Sequence, residues 1–325
     1  MPAPTLAVIG GTGFAGAATV NALVAAGQSV RVIARHAPSS TRGPVEGVAA
    51  NAADANSLTP ALAGVQTAVV CARPDYWAWP TELVPMFQNV LEAARRTGTR
   101  IVLCDNLYAY GVPKGPMTES TPFNPHGPKG RARQEAAELM MQAHERGEVQ
   151  VAIGRAADFY GPGVTYPNLK MLFGAALQGR TVRVMGKGTT LHSTSFINDV
   201  GRGLATLALH GDAFGKVWHL PVAPPMTELD QAHRIVALAG TGASVGQLPS
   251  WAVHAMFKVM GLFSPTMREL PEVLYQHEQP FVVDDSRFVK AFGVRATDCD
   301  TALLETLAFW RTKLALDGPA AARAT

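Results

Sequence analysis

A chain of 325 residues, 47% hydrophobic and 16% charged, can bury one large core or two smaller ones and does not have the composition of a disordered segment. A net charge of +3 leaves no electrostatic footprint for nucleic acid. The three cysteines, Cys71, Cys104 and Cys299, share no disulfide or metal spacing. No apolar window reaches the length of a membrane span, and the first strand begins too near Met1 for a signal peptide, so the expected location is cytoplasmic.

Leu6 to Ile9 is an apolar run that reads as a buried strand. Gly10, Gly13 and Gly16 follow at the spacing G-x-x-G-x-x-G. Ala17 to Ala26 is rich in helix formers, Gly27 stops it, and Ser29 to Ala34 is a second strand. Between a strand and a helix, glycines let the backbone turn tightly and approach a pyrophosphate. The helix N-terminus adds free N–H groups and positive potential. Gly10, Thr12, Gly13, Phe14, Ala15 and Gly16 are therefore the candidate dinucleotide loop. An NAD-specific unit carries an acid near the end of the second strand, to bond the ribose 2′-hydroxyl. Ala34 and Arg35 stand there instead. A guanidinium can pair with a 2′-phosphate, which favours NADP over NAD; otherwise Arg35 is a solvated surface charge. The segment runs on to Arg42.

Gly47 to Asp54 reads as a third strand with a polar exit at Asn51, and Ser57 opens a short helix ending at Gly64. Gln66 to Ala72 is a fourth strand. A proline-broken aromatic passage carries Trp77, Trp79, Pro80 and Pro85. Met86 to Arg96 is then an amphipathic helix stopped by Gly98, and Arg100 to Cys104 is a fifth strand. Cys71 and Cys104 end strands and are expected as buried thiols. This alternation argues an α/β fold with a doubly wound parallel sheet, in which ligands sit beyond the strand C-termini. The glycine loop, Arg35, Asn51, Ala72 and Asp105–Asn106 then share one rim.

Arg133 to His144 reads as a long helix and Val149 to Ile153 as the sixth strand. Past Pro162 the alternation loosens. Leu169 to Leu177 is helical, Thr181 to Met185 a strand, and Lys216 to Leu220 a strand expected back on the main sheet. The expected organisation is a nucleotide-binding domain over residues 1–160 and a smaller mixed C-terminal substrate domain over residues 161–325, with a segment near 190–222 returning to the first. Pro319 to Thr325 is expected to fray. Residues 248–278 carry Trp251, Met256, Phe257, Met260, Leu262, Phe263, Met267 and Tyr275. This run reads as core packing, a homodimer surface, or a pliable lid over an apolar substrate. His254 reads as core or surface, and His192 as a pocket candidate. No His, Cys, Asp or Glu cluster has metal-ligand spacing.

These motifs, in this order, resemble the extended short-chain dehydrogenase/reductase superfamily in its epimerase/dehydratase branch. The likeness rests on Gly10–Gly16, Asn106 to Gly111, Thr118-Glu119, Pro125, Arg155 to Pro162, Gly186 to Val200, Asp285-Ser286, Phe292-Gly293 and the helix around Trp310. It implies a Rossmann domain, with Asn51 in place of an aspartate that bonds the adenine amino group. It also implies a catalytic Ser or Thr, a Tyr and a Lys four residues later. That set is not kept. Asn106 falls at the Ser position, and Lys129 and Arg133 at the Tyr and Lys positions. Arg133 can still bond the ribose hydroxyls. Lys129 is either a proton donor, its charge opposed by Arg133 and by burial, or a cationic clamp on the cofactor. Tyr108 is a second acid candidate, oriented by Asn106, or else an aromatic wall. Tyr110 and Tyr160 fall at positions where packing is expected, and Asp158 lies on the rim.

The sequence therefore points to an NAD(P)-dependent oxidoreductase. Hydride transfer would act on a carbonyl, alcohol or activated alkene of a small apolar molecule. The alternatives are a sugar-nucleotide epimerase or dehydratase, and a non-catalytic NADP-binding redox sensor.

Overall fold

The computed structural model describes residues 5–36 and 43–316. The end of the Arg35–Arg42 segment and the Pro319–Thr325 tail lie outside the described residues. The central element is a seven-stranded sheet. Strands β1 (Leu6–Ile9), β2 (Val30–Ala34), β3 (Val45–Ala49), β4 (Thr67–Val70), β5 (Arg100–Asp105) and β6 (Val151–Arg155) lie in the order β6-β5-β4-β1-β2-β3. The strand Val217–His219 is added beyond β6, so the expected return to the main sheet is found. All neighbours pair in parallel. Leu6 is level with both Val30 and Thr67, so the strands start together and their C-termini form one rim. This is the Rossmann-like doubly wound α/β fold.

Helices cover both faces. On one, α1 (Phe14–Ala25) packs with the helices Ile197–Leu209 and Cys299–Leu316 around Val8, Val32, Leu204 and Trp310. A Cβ on Gly201 would lie 2.4 Å from the Ala18 backbone, so α1 and Ile197–Leu209 touch main chain to main chain. This fixes the axis of α1, and with it the direction of its N-terminus. On the other face, α2 (Ala55–Ala61), α3 (Trp79–Thr97) and α4 (Gly127–Glu145) pack on Ile9, Val70, Leu83, Phe87 and Ile153.

Several boundaries differ from expectation for identifiable reasons. Asp54 caps α2 by accepting from Asn56 N–H, so that helix begins at Ala55 rather than Ser57. Proline fits the first turn of a helix, where its missing N–H has no partner to lose. Pro80 thus opens α3 ahead of the expected Met86, and Pro128 opens α4 ahead of the expected Arg133. The second shift places Lys129 and Arg133 on successive turns of one helix. Cys71 and Cys104 are half-buried rather than buried.

Smaller sheets complete the C-terminal half. Asp158–Tyr160 pairs with Thr194–Phe196, Leu191–His192 with Met226–Thr227, and Val182–Met185 with Val245–Leu248. In the Met-rich run, Val253 and Phe257 of the helix Ser250–Met260 pack on Leu274. Trp251, Leu262 and Phe263 stay 75%, 79% and 86% exposed. No helix among the described residues is long and apolar enough to cross a membrane.

Candidate active site

The glycine loop joins β1 to α1 on the C-terminal rim. Gly10 has φ +81°, and a Cβ there would lie 2.5 Å from Ala72 N. A Cβ on Gly16 would lie 2.1 Å from Gly10 O. Only glycine lets these segments close on one another. Gly13 N–H donates to Gly10 O at 3.0 Å, and Gly13 caps α1 in an extended conformation with no side-chain cap and no acid in the first turn. The first N–H groups of α1, from Phe14 onward, therefore have neither a side-chain acceptor nor a neighbouring carboxylate to satisfy them. Thr12 and Gly13 are exposed at the tip, Ala15 is buried, and the Phe14 ring meets Tyr166 edge-on at 5.2 Å.

The rest of the rim carries the other predicted residues. Arg35 is exposed at the exit of β2 and has no partner among the described residues. Asn51 is exposed, and its Oδ1 accepts from Ala53 N–H at 3.1 Å. Ala72 backs the loop at Gly10. Asn106 Oδ1 accepts from Tyr108 N–H at 3.1 Å, a local turn that sets the path of the chain after β5.

Tyr108 enters an aromatic group with Tyr76 and Trp79, the Trp79 ring lying 5.0 Å from Tyr76 and 6.0 Å from Tyr108. The Tyr76 hydroxyl is turned toward that of Tyr108 without meeting it in a well-formed hydrogen bond. Burial first, and the charge of Asp158 with it, pushes both phenols well above their ordinary range, so both are neutral near pH 7. Tyr275 belongs to the same group and is raised chiefly by burial. The Asp158 side chain, whose charge reaches these phenols, is 46% exposed.

Arg133 does not stand free on the rim. Its guanidinium is buried, donates to Asp105 Oδ1 at 3.3 Å and lies 4.1 Å from the centre of the Trp79 ring. Its Nε has no partner. Asp105 also accepts from Arg155 Nε at 3.0 Å, and Arg155 donates to the Tyr110 hydroxyl at 2.7 Å. The chain continues from Tyr110 to His219 Nε2 at 2.8 Å, while His219 Nδ1 meets Asp284 O at 3.0 Å. A carbonyl can only accept. Nδ1 therefore carries the proton and Nε2 accepts from Tyr110. Tyr110, expected as packing, is also a hydrogen-bonding node.

Burial holds His219 below the usual imidazole range. A depressed histidine contributes stability that is complete above its unfolded pKa, about 6.5, and is lost as pH falls through its folded value. The denaturation midpoint is expected to drop on acidification below about pH 6.5, and His219→Gln is expected to flatten that slope in melts recorded across the range.

Lys129 is fully buried. Its Nζ donates to Glu269 at 2.6 Å and Glu272 at 3.0 Å, its backbone N–H donates to Glu272 at 2.7 Å, and the Tyr76 ring centre is 4.9 Å away. The structure thus brings Lys129 to two carboxylates of the C-terminal region, a contact that no local sequence pattern announces. The two carboxylates compensate the Lys129 charge.

The sequence profile of a known family matches residues 6–220, from β1 through the added seventh strand. The chain belongs to the NAD dependent epimerase/dehydratase family. A dTDP-glucose 4,6-dehydratase of Streptomyces niveus is 29% identical over 158 residues, 48% of this chain and 47% of that protein. UDP-glucuronic acid decarboxylase 6 of Arabidopsis thaliana is 30% identical over 138 residues, 40% of each chain. The matched stretch thus spans about half the length of these relatives or less. A dTDP-glucose 4,6-dehydratase from Streptomyces venezuelae, solved with NAD bound, superposes with a TM-score of 0.76 at 21% identity, covering 95% of this chain and 98% of that one. The corresponding dehydratase from Bacillus anthracis, in complex with NAD, gives 0.78 at 16% identity, covering 96% and 98%. Lys129 and Arg133 lie on successive turns of α4.

Proposed function

We propose that this chain is an enzyme that binds a nicotinamide dinucleotide at the glycine loop and carries out redox chemistry on an alcohol or carbonyl carbon of a small molecule held beside Tyr108. The observation that carries the reading is the glycine cradle under an uncapped helix, on the same rim as Asn106 and Tyr108. The cradle fits the group: side chains are excluded where a diphosphate needs close approach, and main-chain donors are left over. When bound, the nicotinamide supplies or accepts the hydride.

The remaining work falls to the chain. Tyr108 is a neutral phenol and gives a proton to the oxygen of the carbon being reduced, with the Tyr76 hydroxyl turned toward it. Asn106 fixes the turn that presents Tyr108. Arg133 Nε is a buried donor left for a ligand oxygen, such as a ribose hydroxyl. Lys129 anchors the segment carrying Glu269 and Glu272 over Tyr76. Tyr76, Trp79, Tyr108 and Tyr275 favour an apolar substrate. Arg35, with no carboxylate at the exit of β2, favours NADP over NAD.

The names of the relatives support a second reading, a sugar-nucleotide epimerase or dehydratase. The lost tyrosine–lysine pair weighs against it. One experiment separates them. The protein is titrated calorimetrically with NAD, NADH, NADP and NADPH, then mixed with a panel of carbonyls and with sugar nucleotides while nicotinamide absorbance and products are followed. Net cofactor consumption on a carbonyl supports the first reading, and a changed sugar with no net consumption supports the second. Tight binding with no turnover of any compound makes the protein a sensor. Under the first reading Tyr108→Phe is expected to lower kcat by about 100-fold at unchanged cofactor affinity.

A further inference from the structure

We propose that His192, Glu228 and His277, joined by Asp158, form a binding site for one divalent transition metal of the zinc type. The residues come from four separate elements. His192 ends the strand Leu191–His192, and Glu228 starts the helix Glu228–Ala239 directly after the partner strand Met226–Thr227. His277 lies in the short helix Tyr275–Glu278, and Asp158 opens the strand Asp158–Tyr160. No sequence spacing announces the set; the antiparallel pairing of His192 with Met226 brings the first two together.

The ligating atoms of His192, Glu228 and His277 all lie within 4.8 Å of one another. The two imidazoles are stacked, centres 5.1 Å apart and planes 9° from parallel. His192 Nδ1 lies 3.0 Å from Gln276 O. The carbonyl only accepts, so Nδ1 carries a proton and Nε2 is the atom left to ligate. A metal-bound histidine is commonly oriented this way, by a carbonyl behind its other nitrogen. His192 Nε2 faces Asp158 Oδ2 at 3.4 Å. That gap is too long for a charge-assisted hydrogen bond, which closes to about 2.7–2.9 Å. It is close to the edge of about 3.3 Å between two ligands on a tetrahedral ion with bonds near 2.0–2.1 Å.

Glu228 is hydrogen-bonded to His277 Nδ1, so each imidazole has a carboxylate beside it. Two nitrogens with one or two carboxylate oxygens is a borderline donor set, suited to zinc or cobalt rather than to magnesium or calcium. A separate observation points to a missing ligand here. Gln276 is 2% exposed and its Nε2 has no partner, and the neighbouring Tyr275 hydroxyl is likewise buried and unpartnered. Both are buried donors on the segment that carries His277. Asp158 also borders the Tyr76–Tyr108 group, so an occupied site would put positive charge next to the proposed substrate position.

The site does not depend on the nicotinamide reading, and its test is read without turnover. The full chain, free of any histidine tag, is stripped with chelator and titrated with Co²⁺. Visible d–d absorption and the metal content after gel filtration are recorded. The expected result is one Co²⁺ per chain with a low-symmetry, four- or five-coordinate spectrum, displaced by Zn²⁺. His277→Ala and Glu228→Gln, both at half-buried positions, and His192→Ala are each expected to weaken binding by about 10–100-fold. Their melting and their nicotinamide affinity serve as folding controls. Absence of stoichiometric metal, or a spectrum unchanged in the half-buried variants, overturns the proposal.

Discussion

Gly13→Asp is expected to keep the fold and lose the nicotinamide dinucleotide. Gly13 is the N-cap of α1, with φ −80° and ψ 173°, an extended conformation open to any residue. A Cβ there meets only Gly10 O, at 3.4 Å, an ordinary contact. Aspartate is among the best N-cap residues, because its carboxylate accepts from the first free N–H groups of the helix. The substitution therefore stabilises α1 by a few tenths of a kcal/mol, about the margin of Asp over Gly at such a position. The same carboxylate occupies the donors that the diphosphate needs and repels it. Losing that contact and adding repulsion is expected to weaken binding about 1,000-fold, or about 4 kcal/mol, read by calorimetry. The melting temperature should stay level or rise. Gly16→Ala should behave differently, since its Cβ would overlap Gly10 O and displace the loop itself. Binding of Gly13→Asp within a few-fold of the parent chain, for all four nicotinamide forms, would remove the loop as the cofactor site.

The glycine loop is legible in the sequence because its requirements are local: strand, tight turn and helix follow within a few residues. The sheet order is legible for a related reason, since strands and helices alternate at short range through β6. The candidate catalytic residues are a different matter. Their neighbours are fixed by contacts across the sheet rim, which no local pattern encodes. Lys129 meets Glu269 and Glu272 from more than a hundred residues away, on the Met-rich run read only as lid, core or dimer surface. Arg133 is drawn under Trp79 by Asp105, one residue before the Asn106 singled out for catalysis. Tyr110 finds His219 only because the seventh strand returns to the main sheet beside β6. The His192–Glu228–His277 cluster has the same origin: metal spacing is a sequence signal only where the ligands share one turn or one helix.

Asp105→Asn is expected to be the most destabilising single substitution near the rim. Asp105 is 3% exposed and is shared by two guanidiniums, those of Arg133 and Arg155, themselves 4% and 1% exposed. Among the described residues no other acid pairs with either arginine, so the amide leaves both cations buried and uncompensated. Breaking such a pair by removing one partner costs about 3–5 kcal/mol, far more than the pair itself contributes. Arg155 keeps the Tyr110 hydroxyl and Arg133 keeps the Trp79 face, but neither supplies negative charge. The loss should appear as a lower midpoint in urea, at neutral pH and with little dependence on salt, because screening acts weakly on buried charges. A second substitution tests the cause. Arg133→Met removes one of the stranded cations and keeps an apolar chain against Trp79. In the Asp105→Asn background it should therefore recover part of the lost stability, whereas in the parent chain it should cost stability by leaving the Asp105 charge half-matched. Strictly additive effects of the two substitutions would mean that Arg133 and Asp105 act independently.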